Sequence, residues 1–119
     1  MGNTYIKLRI YGRIGGEYRE IKLLVDTGAS YSWIPRRLLE DLGVKPARRV
    51  RFKTIEGRII ERDVGHVFVE YLGEIAPTAV VFAEEKDTAV FGLHGLESLG
   101  LEVDPTTGQV RKSEALLAL

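Results

Sequence analysis

The residues Leu23-Leu24-Val25-Asp26-Thr27-Gly28-Ala29-Ser30 set a carboxylate directly behind three apolar side chains and directly ahead of a Thr-Gly turn. Burying an ionised Asp is costly unless it is paired or hydrogen-bonded. A strand that leaves the core and ends in Asp-Thr-Gly therefore presents its acid in a partly desolvated loop. Gly28 lets the backbone turn tightly and approach a ligand closely. Thr27 and Ser30 supply short hydroxyls that can hold the loop or the carboxylate. The tripeptide is also plain turn chemistry, so the residues by themselves carry both readings.

Working outward, the dominant pattern is period-two alternation, the mark of half-buried strands. Ile6, Leu8 and Ile10 share one face, with Lys7 and Arg9 on the other. The turn residues Gly12 to Gly16 lead into a strand over Ile21 to Val25. Tyr31 to Ile34 is a second short strand, and Pro35 suits the first turn of a helix. Leu38, Leu39 and Leu42 give that helix an apolar side, and Gly43 stops it. Alternation returns from Arg48 to Thr54. Ile55-Glu56-Gly57-Arg58 is a turn, and Ile59 to Tyr71 is a long strand expected to bend near Gly65. Turns are expected at Gly73 and Pro77, a strand at Ala79 to Ala83 and a surface loop at Glu84 to Asp87. A short buried run follows at Val90-Phe91-Gly92, then a helix over Leu93 to Leu99, a strand at Leu101 to Val103 and a turn at Asp104 to Gly108. The expected class is mainly β, closed or barrel-like, with one or two short helices, in a single domain over residues 1–119.

Composition narrows the function classes. The chain has 119 residues, 45% apolar and 29% charged, with 17 Lys plus Arg against 17 Asp plus Glu. That balance gives no electrostatic reason to expect nucleic acid or a membrane surface as partner. No run approaches a membrane span, and the alternating N-terminus reads as a strand and not as a secretion signal. A cytoplasmic location is the expectation. There is no cysteine, which excludes disulfides, thiolate metal sites and cysteine nucleophiles. His66 and His94, the only histidines, have no metal-ligand spacing, and no serine elbow or phosphate-binding glycine loop is present. No metal and no cofactor are expected.

The ordered motifs resemble the retropepsins and their cellular relatives. In that family a Leu-Val-Asp-Thr-Gly-Ala-Ser type segment carries the catalytic aspartate. Ile34-Pro35 followed by Leu38-Leu39-Glu40-Asp41-Leu42-Gly43 looks like the helix after the active-site loop. Thr54-Ile55-Glu56-Gly57-Arg58 looks like the tip of the flap hairpin. Val90-Phe91-Gly92-Leu93 resembles the apolar-apolar-Gly signature that threads past the active-site loop, and Gly95 to Pro105 is similar to the ending of cellular members. The tip has one glycine where viral enzymes are glycine-rich, and Ser30 stands where several of them have Asp.

The resemblance implies a closed acid-protease barrel and an aspartic endopeptidase acting on extended polypeptides. Asp26, Thr27 and Gly28 form its catalytic loop. Gly28, Ala29, Ser30, Ile55, Glu56, Gly57 and Val90 face the substrate, with Ala29, Ile55 and Val90 open equally to plain packing roles. Carboxylate-catalysed peptide hydrolysis needs two acids, and the chain offers one Asp-Thr-Gly. Asp87-Thr88-Ala89 lacks the glycine and reads as loop; Asp104 precedes Pro105 and reads as turn. The second acid is then Asp26 of another copy, in a homodimer. Thr27 is expected to brace the two loops, and Leu116-Leu117-Ala118-Leu119 reads as an interfacial strand or a frayed end. The rival reading is an inactive dimeric peptide-binding module of the same fold.

Overall fold

A computed structural model describes residues 3–114. Nine strands and two short helices run in the order β1 Tyr5–Tyr11, β2 Tyr18–Val25, β3 Ser32–Pro35, α1 Arg36–Asp41, β4 Arg48–Lys53, β5 Ile59–Tyr71, β6 Glu74–Ala83, β7 Val90–Phe91, α2 Leu93–Ser98, β8 Leu101–Val103 and β9 Val110–Lys112. The segment Leu116-Leu117-Ala118-Leu119 lies outside the described residues.

The alternating strands do what their pattern requires. Ile6, Leu8 and Ile10 are buried while Lys7 and Arg9 are exposed. Their core neighbours include Leu23, Ile34, Leu39, Val67, Val69, Phe82, Phe91 and Leu96. Each full burial of such a side chain contributes about 1.5–3 kcal/mol before entropy is counted.

The main sheet is ordered β1-β2-β7-β3-β6-β5-β4, and β1 also pairs with β5. Six strands therefore close on themselves, as the expected barrel requires, because the order returns from β5 to β1. The long β5 makes this possible. Its first half, up to Val64, pairs with β4, and its second half pairs with β1 through Phe68, Val69 and Glu70. The change of partner brackets Gly65, where a Cβ would lie 3.0 Å from the Lys45 carbonyl oxygen. Strand β4 pairs with β5 alone. The β4–β5 hairpin thus extends from the ring, closed at its tip by Thr54–Arg58 and Gly57–Thr54 backbone hydrogen bonds.

Two expectations need correction. Pro77 is not a turn residue: it lies inside β6, opposite Phe68. Strand β6 contacts β3 only from Val80 onward, so at Pro77 it has a neighbour on one side and the missing N–H breaks no ladder there. Pro35 is the last residue of β3 and caps α1 rather than opening it. Strand β9, which pairs with β8 across the Asp104–Gly108 turn, was not expected from the sequence, because Val110 is its one apolar residue.

Candidate active site

The wholly apolar end of β2 is threaded between neighbours on both sides. Val25 donates its N–H to the Thr4 carbonyl at 2.8 Å, and Asp26 donates its N–H to the Phe91 carbonyl at 2.9 Å. Leu24 and Val25 lie parallel to Val90 and Phe91 of β7, and Val90 pairs on its other side with Trp33 of β3. Strand β7 therefore runs between the strand that enters the Asp26 loop and the strand that leaves it.

The loop 26–30 is a compact turn. The Ala29 N–H reaches the Asp26 carbonyl at 3.2 Å, and the Gly28 N–H donates to Asp26 Oδ1 at 2.9 Å. That bond sets the carboxylate's orientation. Gly28 does not take a left-handed conformation. Its requirement is room: a Cβ there would lie 3.2 Å from Asp26 Oδ1.

The start of α2 locks onto the same loop. Leu93 and His94 donate backbone N–H groups to the carbonyls of Ala29 and Ser30 at 2.8 and 3.0 Å. Gly92 passes so close that an added Cβ would stand 2.4 Å from the Tyr31 carbonyl oxygen and 2.7 Å from that of Ala29. The Gly92 N–H is satisfied by the hydroxyl of Ser32, at 2.9 Å. Ser32 is fully buried. Sequence reasoning passed over it; its signal was a small hydroxyl residue at the start of an otherwise apolar strand.

The remaining residues singled out above fall into two groups. Asp26, Thr27, Gly28 and Ser30 are exposed and Ala29 is half-buried, all in one loop. Val90 packs directly behind that loop and is only 7% exposed. Ile55, Glu56 and Gly57 form the exposed tip of the β4–β5 hairpin, and the Ile55 side chain touches nothing of its own chain. The hairpin stem turns Phe52 inward, where its ring lies 6.0 Å from Tyr31 and 5.2 Å from Trp33. Arg48 on the same face reaches the Tyr31 hydroxyl at 3.3 Å. These aromatic contacts dock the stem on the strand that follows the loop.

Three of the other four aspartates are engaged. Asp87 accepts both Arg62 Nε and Nη2, at 2.7 and 2.9 Å, and also the Glu84 N–H. The Arg62 guanidinium holds its carboxyl below the ordinary value. Asp104 accepts the Thr106 N–H and pairs with Arg111, which makes it the turn residue expected. Asp63 is held below its ordinary value first by Arg36 and also by Arg49. No cation pairs with Asp26 among the described residues. Two surface clefts, of about 630 and 530 Å³, are lined by Arg36, Glu40 and Glu84 and by His66, Thr78 and His94 respectively, and neither includes the Asp26 loop.

The sequence model of the aspartyl protease family matches residues 10–96. Among solved structures, the solution structure of the simian foamy virus (mac) protease is similar. It shares 22% identity over 78% of this chain and 91% of that chain, with a TM-score of 0.52. No curated protein matches the chain.

Proposed function

We propose that this chain, which belongs to the aspartyl protease family, is one half of a homodimeric aspartic endopeptidase whose dyad is Asp26 from each subunit. The observation that carries the reading is the isolation of Asp26. It stands exposed on a braced loop, aimed by the Gly28 amide; of the other four aspartates, Asp63, Asp87 and Asp104 are each committed to an arginine and Asp41 ends helix α1. A single chain supplies one acid where the chemistry needs two, and a two-fold axis between copies supplies the second.

In the assembled site two carboxyl groups in contact share one proton. The ionised one takes a proton from a water held between them. The water oxygen attacks the scissile carbonyl carbon, and the protonated acid donates to the carbonyl oxygen. Collapse of the tetrahedral species returns a proton to the departing amine nitrogen. Thr27 braces the paired loops. The substrate lies extended between the floor and the hairpin, which acts as a flap, and main-chain groups of Gly28 and Gly57 hold it. Ala29, Ser30, Ile55, Glu56 and Val90 supply the side-chain surroundings. An Ile55 side chain with no contact on its own chain is suited to close on a bound peptide and exclude water.

The rival is a peptide-binding dimer of the same fold without turnover. It is favoured by the hairpin tip, where a hydrogen-bonded turn over Thr54–Arg58 contains one glycine. Asp26→Asn separates the two. Cleavage of an unfolded protein at acidic pH is expected to fall about 10²–10⁴-fold or more while sedimentation still shows a dimer. Undiminished cleavage, or a wild-type chain that binds extended peptides and never cuts them, overturns the enzyme reading.

A further inference from the structure

The chain is neutral overall, yet its charge is unevenly placed. Between positions 45 and 58 stand six cations, Lys45, Arg48, Arg49, Arg51, Lys53 and Arg58, and one anion, Glu56. This segment carries a net charge of +5, and the rest of the chain carries −5. All six cations are exposed. Cross-strand pairing should neutralise such a stem, and here it does so only at its base. Arg49 takes both Glu61, at 3.4 Å, and Asp63, at 3.1 Å. Arg51 lies directly opposite Glu61 in the ladder, but that carboxylate is bound to Arg49. Lys45, Arg51, Lys53 and Arg58 have no carboxylate within 4 Å among the described residues.

Below this roof the floor carries little charge. The loop from Thr27 to Trp33 contains no charged side chain, and the charges beside it are Asp26 and Arg48, whose guanidinium reaches the Tyr31 hydroxyl. Because successive side chains of a strand face opposite ways, Arg49, Arg51 and Lys53 stand on the face away from the inward Phe52, and the positive rim that a polypeptide meets at the gap is the hairpin's outer face and tip. Two copies around the dyad axis bring two such rims to one cleft.

We propose that this rim selects acidic polypeptides: the preferred substrates carry Asp- and Glu-rich flanks on either side of an uncharged cleavage segment. The inference rests on the peptidase reading above and adds a substrate class to it. Arg51 and Lys53 on the outer face and Arg58 at the tip attract the flanks where they leave the cleft, and the uncharged floor takes the residues about to be cut. A polypeptide fits better than a polynucleotide. Glu56 interrupts the cations at the tip, Glu61 and Asp63 interrupt them at the base, and Tyr31, Trp33 and Phe52 pack on one another instead of standing free to stack on bases.

Three peptides of identical core, flanked by Asp, Ser or Lys, test the proposal. Binding is read by fluorescence anisotropy on the full-length Asp26→Asn chain near neutral pH, and cleavage by the wild type near pH 5, where Asp flanks stay ionised. In about 0.02 M salt the Asp-flanked peptide is expected to bind and react about tenfold or more better than the Lys-flanked one, and the ratio to collapse in about 0.5 M salt. The double variant Arg51→Glu, Lys53→Glu is expected to invert the ratio. Preferential binding of the Asp-flanked peptide with no cleavage of any peptide sinks the peptidase reading and leaves the charge selection standing. Equal affinities, a salt-independent ratio, or displacement by a single-stranded oligonucleotide at equal charge overturns the selection itself.

Discussion

Gly92 passes its backbone N–H to the hydroxyl of the fully buried Ser32 at 2.9 Å, across sixty positions of sequence. The bond joins the strand leaving the Asp26 loop to the segment that threads beside it. Ser32→Ala leaves a buried N–H without a partner, which costs about 1–3 kcal/mol. Gly92→Ala is expected to do worse, because its Cβ would drive into two backbone carbonyls that cannot swing away. Denaturant unfolding should rank the two variants in that order, and peptidase activity should fall in both.

The Phe52 ring ties the β4–β5 hairpin to the body. Two aromatic contacts, to Tyr31 and Trp33, are worth about 1–2 kcal/mol together beyond the area they bury. Phe52→Ala is expected to speed amide exchange across residues 50–60 by roughly tenfold while the barrel strands keep their protection. Equal protection in hairpin and barrel would show that other contacts hold the stem.

The turn between β5 and β6 carries avoidable strain. Leu72 adopts φ 51° and Gly73 φ 84°, the pair of positive angles that a two-residue hairpin turn demands and that Asn-Gly meets most easily. Leu72 is also 73% exposed, so its side chain contributes little packing. Leu72→Asn should stabilise the fold by about 0.5–1 kcal/mol, read as a rise in the unfolding midpoint with peptidase activity unchanged.

Most of this architecture was legible because strands written as Ile6-Lys7-Leu8-Arg9-Ile10 state their buried face outright, and because the apolar run into Asp26 reads as a strand end. Ser32 was not legible, since a hydroxyl in a strand shows no partner until the fold brings Gly92 to it. Pro77 misled because its breaking effect depends on whether a second strand lies alongside, which only topology decides. The Phe52 cluster was hidden for the same reason: Tyr31 and Phe52 are distant in sequence and meet across two elements. The charge excess of the hairpin was countable, but its lack of partners became visible only with the ladder in register.

Acid should loosen the base of the hairpin. The Arg62 guanidinium holds the Asp87 carboxyl below its ordinary value of 3.8, and Arg36, then Arg49, do the same for Asp63. A carboxylate whose value is depressed by folding stabilises the fold fully above its ordinary value. That contribution is lost as the pH falls through the depressed one. The unfolding midpoint is therefore expected to hold from neutral pH to about pH 5 and to drop below about pH 4. Asp87→Asn should cost about 1–2 kcal/mol near neutrality, between exposed and buried pairs, and should flatten part of the acid-side decline. A decline of undiminished steepness in that variant would move the cause to other carboxylates.

The dyad argument makes a demand that no single-chain enzyme could meet. If each active site draws Asp26 from two subunits, an inactive copy poisons every partner it takes. Wild-type chain mixed and re-equilibrated with a tenfold excess of Asp26→Asn chain should lose roughly tenfold of its activity, because most wild-type subunits are then trapped in mixed pairs. Specific activity of the wild type alone should fall on dilution through the dimer dissociation constant and recover on concentration. A chain that kept its activity in the mixture, and whose specific activity ignored dilution, would have to find its second acid within one molecule, where Asp63, Asp87 and Asp104 are already bound to arginine and Asp41 ends helix α1.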